Sequence, residues 1–138
     1  MNKERKLDGP EIESTKREDE MGDIKKEKEN ILEKAGKEYY SGGEDELKKE
    51  RYNSAVVLYF KALISFGDLF LLKKLGKSPS SHAERFRLTQ KKFPEVYDIL
   101  DKDFPFYQDS YNKIMSKELA EVIRDDAKTV AEKAEIKV

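Results

Sequence analysis

YNSAVVLYFKALISFGDLFLLKKLGKSPSSHAERFR, residues 52–87, decides the fold of this chain. Its first two-thirds is apolar on nearly every side of a helical wheel. Tyr52, Ala55, Val56, Tyr59, Leu63, Phe66, Phe70 and Leu71 make one face, and Val57, Leu58, Ala62, Leu69 and Leu72 much of another. A helix apolar most of the way round is packed on several sides, so this one is the centre of a core. Its polar strip is narrow: Ser54, Lys61, Ser65 and Asp68 fall close to one line. Gly76 is placed to stop the helix. Ser81-His82-Ala83-Glu84 then has capping-box spacing, so a further helix starts near His82, the only histidine.

Outward from this run, every periodic segment reads as helix and none alternates as a strand does. The spacing predicts a first helix over 23–40, ended by Ser41-Gly42-Gly43, with Ser41 and Glu44 capping a central helix over 44–75. Downstream, a third helix is expected over 82–92. Pro94 and Pro105 each suit a first helical turn, which predicts two short helices over 94–100 and 105–114. Ser116 caps a last helix over 117–136, striped by Leu119, Ala120, Ile123, Ala127, Val130 and Ala134. The expected fold is therefore all-α, a five- to six-helix up-and-down bundle. Residues 1–22 read as a charged N-terminal extension (loop, solvated helix or tail) and 23–138 as the bundle domain. Gly36, Tyr39, Ala55, Tyr59 and Ala62 match part of one tetratricopeptide repeat, but nothing recurs at a fixed period, so a solenoid is not expected.

Composition narrows the function classes. The chain has 138 residues, 41% charged and 37% hydrophobic, and residues 1–34 carry 20 of the charges. What remains supports one core. Net charge is −1, without the basic excess that phosphate contacts demand of nucleic-acid binders. There is no cysteine, which excludes disulfides and thiolate metal sites. No secretory leader opens the sequence, and a cytoplasmic location is the expectation. Residues 54–72 approach membrane-spanning length, but Lys61 and Asp68 argue for a buried core helix and no membrane role. Abundant Lys and Glu with no Cys or Trp give a thermophile-like composition. No phosphate-binding loop, dinucleotide fingerprint, zinc-protease motif or calcium loop occurs, so no cofactor or metal is expected.

Two residues are catalytic candidates. His82 has the side chain suited to general acid–base work near neutral pH, and Arg85 follows one turn later on the same face. Together they could hold a phosphate, or Arg85 could pair with a carboxylate such as Asp68 or Asp109. Arg87 points elsewhere. Lys61 and Asp68 are two turns apart, so each needs its own partner. They either line a cleft with the His82 turn or form the outward strip of the core helix. Phe104, Phe106, Tyr107 and Tyr111 form an aromatic cluster able to stack on bases. Asp101, Asp103 and Asp109 around it repel phosphates, which favours packing over the bundle end or a subunit contact. Lys61, Asp68, Arg87, Tyr107 and Tyr111 are thus candidate ligand or partner contacts.

The long helix, the Ser-Pro turn with His82, and the late YQDSYNK…SKELAEVIRDDAKTVAE segment together resemble the HEPN family over residues 24–135. The likeness lies in helix order, in the A-x-x-x-Y-F-x-A pattern from Ala55 to Ala62, and in the position of His82. It implies a small all-α bundle, often dimeric, often coupled to a nucleotidyltransferase partner or acting as a ribonuclease. The ribonuclease members carry an Arg four to six residues before a His. Here positions 76–78 are Gly, Lys and Ser, so that motif is absent and no catalytic residue carries over. The expectation is a non-enzymatic binding or accessory module, homodimeric, engaging a nucleotidyltransferase-type protein, RNA or a nucleotide. The alternatives are a metal-independent ribonuclease or nucleotide-binding enzyme using His82 and Arg85, and a structural interaction bundle unrelated to HEPN.

Overall fold

The computed structural model describes the backbone from Pro10 to Val138 and the side chains from Lys16 onward. Five helices make up the described fold, with no strand among those residues: α1 (Pro10–Lys48), α2 (Tyr52–Leu75), α3 (His82–Lys92), α4 (Pro94–Asp109) and α5 (Lys117–Lys133). The all-α bundle expected from periodicity is what forms. α2 is its spine. Ala55, Val56, Tyr59, Ala62, Leu63, Phe66, Leu69 and Leu71 have no exposed surface, and α1, α4 and α5 pack around them. α2 is long and apolar enough to cross a membrane by length and composition, yet 78% of its most apolar window is buried inside the bundle.

The first connection differs from the sequence reading. Gly42 and Gly43 do not end a helix. α1 runs through them to Lys48, and α2 begins only at Tyr52. The glycines serve close packing instead. A Cβ on Gly43 would sit 2.6 Å from the Tyr59 ring, and one on Gly36 would sit 2.5 Å from the Phe66 ring. Both pairs are seven residues apart, running in opposite directions, so α1 and α2 form an antiparallel hairpin with glycine hollows receiving aromatic rings. Tyr40 adds an edge-on contact to Tyr59 at 5.5 Å, and the Tyr59 hydroxyl donates to Glu44. Burial and the Glu44 carboxylate both push that hydroxyl's pKa up.

The true break lies at 49–51. Glu50 takes a left-handed conformation, φ 58°, while Arg51 N donates to Glu46 O at 2.9 Å and Glu50 N to Leu47 O at 3.0 Å. These are the two bonds of a Schellman motif, closed here on glutamate rather than glycine. The same pattern recurs after α5. Glu135 has φ 65°, and Ile136 N donates to Ala131 O at 2.8 Å. α5 therefore ends at Lys133, short of the expected 136, although Ile136 still tucks into the core.

Several local signals behave as read. Gly76 ends α2 at φ 81°, its N–H bonded to Leu72 O. Ser81 accepts from Glu84 N at 3.1 Å, and Ser116 accepts from Leu119 N at 3.1 Å. Pro105 does not start a new helix: α4 is one helix from Pro94 to Asp109 with Pro105 inside it. Pro105 is exposed, while Phe104, Phe106 and Tyr107 pack on the core and hold the helix across the missing N–H. Asn53 fixes the following loop. Its amide donates to Ser110 O at 2.9 Å and Lys113 O at 2.7 Å, and accepts from Met115 N at 3.0 Å. Residues 10–22 belong to α1 without a break at 22.

Candidate functional site

Four helices contribute side chains around the start of α3. Asp68 on α2 and Arg85 on α3 are both buried and form a two-pronged ion pair. Arg85 Nε donates to Asp68 Oδ1 at 2.6 Å, and Nη2 donates to Oδ2 at 2.9 Å. The third guanidinium nitrogen, Nη1, lies 2.9 Å from His82 Nδ1. A guanidinium only donates, so Nδ1 is the acceptor, and the ring proton of neutral His82 sits on Nε2. Burial of the ring, then the Arg85 charge, lower the His82 pKa below its usual value; Asp68 pulls weakly the other way. His82 is thus held as a neutral Nε2–H donor, oriented by a buried Arg–Asp pair in the way that supporting hydrogen bonds fix a ring tautomer.

His82 borders a cleft of about 260 Å³ lined by Tyr39 of α1, Phe60, Lys61, Ile64 and Ser65 of α2, His82 of α3 and Tyr107 of α4. Its walls are aromatic. Tyr107 stacks on Phe60 with ring centres 4.6 Å apart, and Phe104 lies 5.3 Å from His82 and 5.6 Å from Phe86. No acidic side chain among the described residues lines the cleft. Lys61 is exposed, with Nζ 5.8 Å from the centre of the Tyr39 ring, and makes no ion pair among the described residues. The site offers one free cation, one fixed N–H donor, the Ser65 hydroxyl and three rings. This chemistry suits a planar group bearing an acceptor or an anion. The volume lies just under the roughly 300–1,000 Å³ of drug-sized pockets.

The structure thus brings Lys61, His82 and Tyr107 to one cleft, with Asp68 and Arg85 directly behind His82. Lys61 and Asp68 do find separate environments. The polar strip of α2 is exposed at Ser54 and Lys61 and buried at Ser65 and Asp68. Arg85 is buried, and Asp68 and His82 engage three of its five N–H donors, so its guanidinium is not laid open to grip a phosphate. Arg87 lies outside the cleft, exposed and 3.8 Å from Glu84. Tyr111 stands at the rim, 75% exposed, its hydroxyl 3.1 Å from that of Tyr107. Sequence reasoning passed over Tyr39, Phe60 and Ile64 as walls. Phe60 and Ile64 flank Lys61 and Ser65 on one helix, so the polar strip already marked them; Tyr39 reaches the cleft only through the hairpin.

No family model matches this chain. Nor does any curated protein match it.

A second polar cluster lies between α4 and α5. Asp103 is fully buried, and neither of its oxygens has a hydrogen-bond partner among the described residues. Burial, then a hydrogen bond and charge repulsion from Asp126, push its pKa up to about 8. A protonated Asp103 is able to donate to Asp126, whose Oδ2 lies 2.9 Å from Lys102 Nζ. Among the described residues, no group of three or more His, Asp or Glu side chains is arranged to hold a metal.

Proposed function

We propose that this chain is a HEPN-like, non-enzymatic binding module. In this reading it self-associates and receives an anion-bearing aromatic group, of the nucleotide type, in the cleft beside His82. The group arrives free or is presented by a nucleotidyltransferase-type partner or an RNA end. The observation that carries this reading is the His82–Arg85–Asp68 arrangement. A general base needs a free ring nitrogen facing its substrate. His82 has its acceptor nitrogen occupied by Arg85, which leaves only the Nε2–H donor unengaged, and a donor serves recognition rather than proton abstraction. Lys61 supplies the charge complement, and Tyr39, Phe60 and Tyr107 supply stacking surface, which contributes roughly 1–3 kcal/mol per base in single-strand binders.

Thermal unfolding in the presence of AMP, adenosine or inorganic phosphate tests it. A ligand at a hundredfold its Kd stabilises the folded state by about 2.7 kcal/mol. AMP raises Tm, adenosine and phosphate each raise it less, and Lys61→Ala removes the AMP effect without lowering the ligand-free Tm. Absence of any shift at millimolar AMP refutes nucleotide binding at this cleft. RNA cleavage by concentrated protein, lost in His82→Ala, would replace the reading with a catalytic one.

A further inference from the structure

Buried polar side chains normally carry a hydrogen bond. Along α2, Tyr59 donates to Glu44 and Asp68 accepts from Arg85; on α3, buried Thr89 donates to Arg85 O at 2.8 Å. Ser65 departs from this pattern. It is 9% exposed, and its hydroxyl has no hydrogen-bond partner among the described residues. A helical serine or threonine commonly bonds back to the carbonyl one turn earlier, as Thr89 does and as Thr129 does to Asp125 O at 3.0 Å. The Ser65 hydroxyl makes no such bond to Lys61 O. Nor is its oxygen sealed in as those of Asp103 are; Ser65 lines the cleft beside His82.

The neighbours of that hydroxyl give it a use. Lys61 stands one turn before Ser65 on the same face of α2, where paired side chains root about 5–6 Å apart, and it makes no ion pair among the described residues. His82 lines the same cleft from α3, with only Nε2–H unengaged. An ammonium, a hydroxyl and an imidazole N–H are all donors toward an anion. Three donors suit a phosphomonoester, whose three terminal oxygens all accept. A carboxylate or a phosphodiester offers only two. The rings of Tyr39, Phe60 and Tyr107 in the same cleft provide a surface for the flat group that carries the ester.

We infer that Ser65 is the specificity-determining contact of this cleft, its hydroxyl joining Lys61 and His82 to receive the terminal phosphomonoester of the bound group. The inference rests on the nucleotide-type reading proposed above and narrows it to ligands that end in a phosphate. A hydroxyl without a partner in the free protein adds no hydrogen bond to the fold, so its removal acts on binding and not on folding.

Ser65→Ala separates this role from a structural one. In calorimetric titration of the full chain, the variant binds AMP roughly ten- to a hundredfold more weakly than the wild type, the loss of one hydrogen bond to a charged group. Adenosine binds the two proteins equally, and the ligand-free Tm is unchanged or higher. The methyl ester of AMP, one terminal oxygen short, binds the wild type more weakly than AMP does. A wild type that binds no AMP overturns the nucleotide reading and this inference with it. Equal AMP affinity in wild type and Ser65→Ala overturns only the assignment of Ser65. A ligand-free Tm lowered by Ser65→Ala shows the hydroxyl bonded within the fold and overturns that assignment too. The methyl ester binding as tightly as AMP overturns the choice of a monoester.

Discussion

Four glycines in one helix set up an internally controlled experiment. Gly22, Gly36, Gly42 and Gly43 all lie within α1, so replacing each by alanine gains the same intrinsic helix preference, about 0.8–1 kcal/mol. What differs is the space for the new methyl. At Gly22 nothing lies within 4 Å. At Gly42 the nearest atom is the Leu58 Cδ1 at 3.2 Å, the end of a half-buried side chain that can turn away. At Gly36 and Gly43 the methyl meets the Phe66 and Tyr59 rings at 2.5 and 2.6 Å, and both rings are fully buried. Each ring must retreat by about 1 Å into a filled core, an overpacking cost of typically 1–3 kcal/mol or more. Gly22→Ala therefore stabilises by about 0.5–1 kcal/mol, and Gly42→Ala is near neutral or mildly stabilising. Gly36→Ala and Gly43→Ala destabilise by roughly 1–2 kcal/mol net. Urea unfolding followed by circular dichroism at constant m-value resolves these differences. If Gly36→Ala and Gly43→Ala stabilise as much as Gly22→Ala, the rings do not seat on the helix backbone and the packing argument fails.

Three further outcomes follow from other sites. Asp103 has its pKa raised to about 8 in the folded chain, so the fold holds a proton there that the unfolded chain releases near pH 4. Stability thus falls as pH rises from 4 through 8, by at most about 1.4 kcal/mol per unit. Asp103→Asn flattens that slope in pH-dependent urea titrations, and an unchanged slope rules the group out. Glu50→Gly relieves a left-handed residue that costs roughly 1–2 kcal/mol and raises Tm, as does Glu135→Gly; a lower Tm in either shows that the carboxylate matters more than the backbone. Asp68→Ala leaves the Arg85 charge buried without its partner and costs about 3–5 kcal/mol, whereas Asp68→Leu with Arg85→Met recovers much of the loss. A double variant as unstable as the single one contradicts that account.

How far the sequence carried depended on the range of the forces involved. Ser81 and Ser116 caps and the Gly76 stop were readable because each is settled by bonds to residues three or four away. Gly42-Gly43 and Pro105 were misread by the same local logic. A glycine pair tolerates a turn, but it equally tolerates an aromatic ring at 2.6 Å, and only the facing helix decides between the two. Pro105 starts a helix when nothing else holds its preceding turn, and here Phe104, Phe106 and Tyr107 anchored in the core do hold it. At the site, the sequence singled out His82, Arg85, Asp68 and Lys61 as residue types that needed partners. It left open which would be paired.

By itself, then, the sequence determined the all-α class, the spine helix and most helix ends, since periodicity and capping act over a few residues. The tertiary structure alone decided the hairpin register and the joining of His82 to Asp68 through Arg85. Those facts depend on which ring enters which hollow and which charge is covered. No short stretch of chain contains both partners.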